Sequence, residues 1–181
     1  MNRRAFTIIE VIVTAVLFVV ILSILVVSLF TARNANFIYR EKMYINEEMS
    51  IAMMRMVEEL KEGSFIFLRD SSDNGLSDGE VYDHIKFRLP VISSSGDITS
   101  WSDWIEYIIN NDNLIRRDSS GNEIMVRNLV FDKKAVSSDV GSAFEYIASE
   151  NKLKISLVGS RVILNQLTVD AGIVSAVNLR N

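Results

Sequence analysis

The chain has 181 residues, 49% of them apolar, and a net charge of −4. A length of this order suits one domain with an appendage. The absence of cysteine excludes disulfides and thiolate metal sites, and the acidic balance gives no electrostatic footprint for nucleic acid, so no nucleic-acid partner is expected.

The first feature along the chain is a pair of arginines, Arg3 and Arg4, followed by the apolar run FTIIEVIVTAVLFVVILSILVVSLF. From Val11 to Ala32 there are 22 residues without a charge, a proline or a glycine. As a helix this stretch measures roughly 33 Å, enough to cross a bilayer. Its many β-branched residues matter little there, because in lipid a helix satisfies its own backbone groups. The run exceeds the 7–15 residues typical of a cleaved secretory core, and helical periodicity continues beyond it. Basic residues before a span favour a cytoplasmic N-terminus, which places the chain after Arg33 outside the cytoplasm. One carboxylate, Glu10, sits at the mouth of the run. A charge within an apolar span costs roughly 2.5–3.5 kcal/mol and marks a functional position by default.

The residues Ala5-Phe6-Thr7-Ile8-Ile9-Glu10, preceded by two arginines and followed by an uninterrupted span, resemble the processing site of the type IV pilin and pseudopilin superfamily. The resemblance implies a leader of residues 1–5, cleavage between Ala5 and Phe6 by a prepilin peptidase, and methylation of the new Phe6 amine. It implies that Glu10 guides assembly by pairing with the N-terminal amine of a neighbouring subunit. Pairing with its own amine is the competing reading. Alanine stands at position 5, where the family usually has glycine.

Beyond the span, Ile38, Ile45, Met49, Ala52, Met53, Met56 and Leu60 form one apolar stripe at helical spacing, opposite Arg40, Glu41, Glu47, Glu48, Arg55, Glu58, Glu59 and Lys61. Gly63, after a lysine-bearing last turn, ends the helix. One helix is therefore expected from about Thr7 to Glu62. Its part at 6–32 lies in a membrane or filament core, and its part at 33–62 is an amphipathic continuation. The methionines Met49, Met53, Met54 and Met56 read as adaptable core packing.

After Gly63 the pattern changes to short β-rich segments: FIFL, HIKFRL, WIEYII, NLIRRD, EIMVRNLVF, KLKISLVG and RVILNQLTVD. Residues Asn110 to Asn113 and Asp118 to Asn122 read as hairpin turns. The stretches Arg69 to Asp83 and Ser93 to Asp103 read as surface loops. The fold class is α+β, a long helix packed on a mostly antiparallel sheet domain spanning 63–181. WIEYIINNDNLIRR and the ending Val177-Asn178-Leu179-Arg180-Asn181 resemble J-type minor pseudopilins of type II secretion and W-type minor pilins.

Chemistry-bearing patterns are sparse. The single histidine, His84, reads as a solvated loop residue with no nucleophile assigned to it. Asp70, Asp73, Asp78 and Glu80 cluster on a glycine-bearing loop that suggests calcium, but their spacing fits no EF-hand, so a plain surface loop is the preferred reading and no cofactor is expected. Trp101 and Trp104 flank a strand start and read as packing across the sheet, with a partner-anchoring role as the alternative. No catalytic residue is assigned.

The functional expectation is a non-enzymatic minor subunit of a type II secretion pseudopilus or type IV pilus. Its expected partners are the prepilin peptidase, the cytoplasmic membrane, and other minor and major pilins or pseudopilins. A tip adhesin or DNA-uptake pilin, and a membrane-anchored sensor or enzyme, are the alternatives.

Overall fold

The computed structural model describes residues 7–63, 68–110, 112–129, 142–163 and 167–179. One helix, α1, runs from Ile8 to Glu62. Among the described residues ten strands follow: β1 (Val81–Tyr82), β2 (His84–Phe87), β3 (Pro90–Ile92), β4 (Ile98–Trp101), β5 (Ile105–Asn110), β6 (Asn113–Asp118), β7 (Gly121–Arg127), β8 (Ala143–Ile147), β9 (Lys152–Ile163) and β10 (Leu167–Asn178). All the pairings are antiparallel. The sheet orders are β1-β8-β9-β10, β2-β5-β6-β7 and a separate β3-β4 hairpin. The fold class is α+β, as the change of periodicity at Gly63 predicts. By compactness the chain divides into two units, Met1–Glu41 and Lys42–Asn181.

In the first unit every residue from Thr7 to Phe37 is exposed. The helix is long and apolar enough to cross a membrane by length and composition.

In the second unit the predicted apolar stripe is the core face of the helix. Ile45, Met49, Ala52, Met53, Met56 and Leu60 are all buried. Met54 departs from the expectation at 64% exposure, because one residue beyond Met53 turns it about 100° off the stripe. The facing sheets supply alternate inward residues: Ile85 and Phe87, Tyr107, Leu114, Leu153, Ile155 and Leu157. Phe87 and Tyr107 stack with ring centroids 5.9 Å apart. Ile45 and Met49 lie over Gly159 of β9, so tightly that a Cβ at 159 would stand 2.6 Å from Ile45 Cγ2. The C-terminal turns of α1 reach the other sheet, where a Cβ at Gly63 would meet the Phe87 ring at 3.1 Å. Gly63 donates its N–H to Glu59 and does not have a positive φ, so close packing is the reason for glycine there.

Several boundaries differ from expectation. Ser93 to Asp103 is not a plain loop, since it contains β4, paired back on β3. The stretch Arg69 to Asp83 ends in β1, which pairs with β8, a strand absent from the sequence reading. KLKISLVG and RVI form one strand through Gly159, which the helix needs for close approach and which does not interrupt pairing. The hairpin turns fall where predicted, with Asp112 and Gly121 at positive φ. Of FIFL only Leu68 is described, and Val130, Phe131, Arg180 and Asn181 lie outside the described residues.

Candidate assembly site

The helix begins with a reciprocal cap. Thr7 is the residue before the first helical turn and Glu10 stands three residues on. The Glu10 carboxylate accepts the Thr7 backbone N–H at 2.9 Å and the Thr7 hydroxyl at 3.1 Å, while the Glu10 N–H donates to Thr7 Oγ1 at 3.3 Å. This is a capping box: each partner satisfies a backbone donor that the helix start leaves free. The acid also lies at the positive end of the helix dipole. Thr-x-x-Glu ahead of an apolar run is a sequence signal for this arrangement, and the sequence reading of Glu10 overlooked it. The predicted processing residues Ala5 and Phe6 lie outside the described residues.

Along the span, Thr14, Ser23 and Thr31 donate their hydroxyls to the carbonyls of Glu10, Val19 and Val27 at 2.7, 2.8 and 3.0 Å. Their polar groups are thus satisfied within the helix, which suits an apolar surrounding.

A second polar constellation ties helix to sheet in the second unit. Glu59 accepts the Tyr107 hydroxyl at 2.8 Å, Arg116 Nε at 3.1 Å and Arg55 Nε at 3.2 Å. Arg116 also donates to Asp118, and Arg55 reaches Glu123 at 2.8 Å. Burial, then the adjacent Glu59 charge, push the Tyr107 phenol above its ordinary value. Against the desolvation that burial imposes, hydrogen bonds to Asp118 and Glu59 hold Arg116 above its ordinary value. Asp118 is held below the usual carboxylate range by the Ser120 hydroxyl and by Arg116. Each charge here is met by an opposite charge or donor, as a structural lock requires.

The acidic loop does not converge. Asp70 accepts the N–H groups of Ser72 and Asn74, both at 2.8 Å. Asp73 pairs with Lys86 at 2.7 Å, Asp78 accepts the Ala148 N–H at 2.6 Å, and Glu80 accepts the Tyr82 hydroxyl at 3.0 Å. Among the described residues no group of three or more such side chains is placed to hold a metal ion. The carboxylates here serve turns and strand edges.

His84 is the first residue of β2, with only 17% of its side chain exposed, so it is not a solvated loop residue. Its Nε2 lies 3.5 Å from Glu106. Burial lowers its pKa, with Glu106 opposing. Trp104, just before β5, carries Lys86 of β2 and Arg88 just after it over its ring at 5.4 and 4.5 Å, a cation–π stack.

Set against known proteins, the chain matches no protein-family model, no curated protein and no solved structure. The architecture stands without them. A long apolar N-terminal helix whose last turns pack on antiparallel sheets is compatible with a pilin-like architecture.

Proposed function

We propose that this chain is a minor pilin or pseudopilin, anchored in the cytoplasmic membrane and then built into or onto a type II secretion pseudopilus or a type IV pilus. The observation that carries the reading is the helix start: a membrane-length span whose single acid, Glu10, is held in its first turn by Thr7. Cleavage after Ala5 would leave a cationic amine on Phe6, one residue before the cap.

The capping box refines the role of Glu10. It keeps the carboxylate hydrogen-bonded while the subunit is alone in the membrane, which lowers the cost of burying it. A neighbour's N-terminal amine then offers a stronger, charge-assisted partner. Glu10 exchanges its own backbone donor for that cation, and the exchange sets subunit register. The protein acts by assembly and carries out no reaction of its own. By resemblance to J-type subunits it joins other minor subunits in a tip complex that primes growth.

The test compares Glu10→Gln and Thr7→Ala in the protein's own cells, by shearing filaments and measuring subunit in filament and membrane fractions. Glu10→Gln keeps its membrane level and loses incorporation, because the amide carries no charge for the amine. Thr7→Ala incorporates at a reduced level. Normal incorporation of Glu10→Gln contradicts the role of the carboxylate.

A further inference from the structure

At the end of the apolar run and just past it, Phe30, Arg33, Phe37 and Arg40 follow at steps of three, four and three. On a helix that spacing puts them along one face. Phe30 is 62% and Phe37 42% exposed. Arg33 and Arg40 are exposed, and neither makes an ion pair among the described residues. Glu41, which follows Arg40 in the chain, has an interaction of its own. Tyr39, on an adjacent face, is 65% exposed.

We infer that this aromatic–basic stripe docks on the phosphates of anionic phospholipids at the leaflet the helix leaves. The inference rests on the membrane reading of the span. Arg33 follows the last residue of the uncharged run, so it enters the headgroup layer directly. Arg40 lies about 12 Å past the run along the axis, whereas the headgroup layer on each side is roughly 5–8 Å thick. The direction of helical side chains closes that gap. They tilt toward the helix N-terminus, which here is toward the bilayer, so both guanidinium groups are aimed at the phosphate plane. Tyr39 provides an amphipathic ring of the kind that settles at a membrane–water boundary, and Phe30 and Phe37 add apolar rings at the same level. A guanidinium matches a phosphate by a two-pronged, charge-assisted hydrogen bond.

Charge placement supplies an independent reason. Basic residues beside a span favour the cytoplasmic side. With Arg3 and Arg4 setting the N-terminus inside, Arg33 and Arg40 oppose that topology unless anions meet them outside. Anionic headgroups do so.

The test reconstitutes the full chain into nanodiscs of equal phosphatidylcholine and phosphatidylglycerol, re-extracts it with its boundary lipid, and measures the ratio of the two lipids by mass spectrometry. Phosphatidylglycerol is expected to be enriched, by about fivefold for each arginine. Enrichment is lost in Arg33→Gln/Arg40→Gln and largely kept in Arg33→Lys/Arg40→Lys. A ratio near one for the native chain, or enrichment that survives the glutamine pair, overturns the proposal. Displacement of the lipid by millimolar inorganic phosphate would assign the stripe to free anions. Unchanged lipid ratios with a change of oligomer size in the glutamine pair would assign it to a protein partner. Either result also overturns it. Vesicle flotation separates the premises: a native chain that does not float fails the membrane reading itself, and one that floats without enrichment fails only this inference.

Discussion

Arg116 on β6 donates from Nε to Glu59 on α1 at 3.1 Å, and this contact fastens the last turns of the helix to the second sheet. Both side chains are mostly buried, at 11% and 16% exposure. Removing Glu59 leaves the Tyr107 hydroxyl without its acceptor and the Arg116 guanidinium with Asp118 alone. Glu59→Ala is therefore expected to destabilise the second unit by about 1–3 kcal/mol. Thermal unfolding of the full chain in detergent checks this. Arg116→Ala in the Glu59→Ala background should add much less than it does alone, because the two share one network.

Tyr107 gives a high-pH signature. The folded chain holds its phenolic proton above the pH at which the unfolded phenol, near 10, releases it. Above that pH unfolding releases a proton, so stability is full below about 10 and declines as the pH rises further. Tyr82 and Tyr146 are shifted the same way and add to the decline. A stability profile from pH 8 to 11 should flatten in Tyr107→Phe relative to the native chain.

His84 acts on the acid side. Burial lowers its pKa, so the unfolded chain takes up the proton more readily than the folded one. Stability contributed by neutral His84 is present above about 6.5 and is lost as the pH falls through that value. His84→Gln should reduce the dependence between pH 7 and 5 by no more than about one proton taken up on unfolding. An unchanged slope would mean that the pairing with Glu106 offsets the burial.

Gly159 tests how closely helix and sheet approach. A methyl group there meets Ile45 Cγ2 at 2.6 Å. Gly159→Ala is expected to cost about 1–3 kcal/mol by overpacking. In the Ile45→Ala background, which removes that carbon, the same change should cost distinctly less. Denaturant unfolding of the two singles and the double gives the coupling directly.

The helix and the core face were legible because the six apolar residues from Ile45 to Leu60, recurring mostly at steps of three and four, match a helical period and no strand alternation. Its end at Glu62 was legible from Gly63, although the glycine serves packing against Phe87 and not a left-handed cap. The β5–β6 and β6–β7 hairpins were legible from their turn residues. β4 and β8 were not: four- and five-residue strands set among polar neighbours carry too little alternation to stand out, and tertiary pairing decides them. At the helix start the chemistry of Glu10 pointed to a partner outside the chain, whereas Thr7, three residues ahead, supplies one within it at capping-box spacing. The Glu59 lock was beyond reach, because residues 59, 107 and 116 meet only through strand register.

The most direct measurement is the N-terminal mass of the protein isolated from its own cells. A processed subunit begins at Phe6 and carries one added methyl group on its amine, and this is the expected result. A chain that still begins at Met1 would contradict processing and assembly together, leaving a plain membrane anchor in which Thr7 and Glu10 only cap a helix.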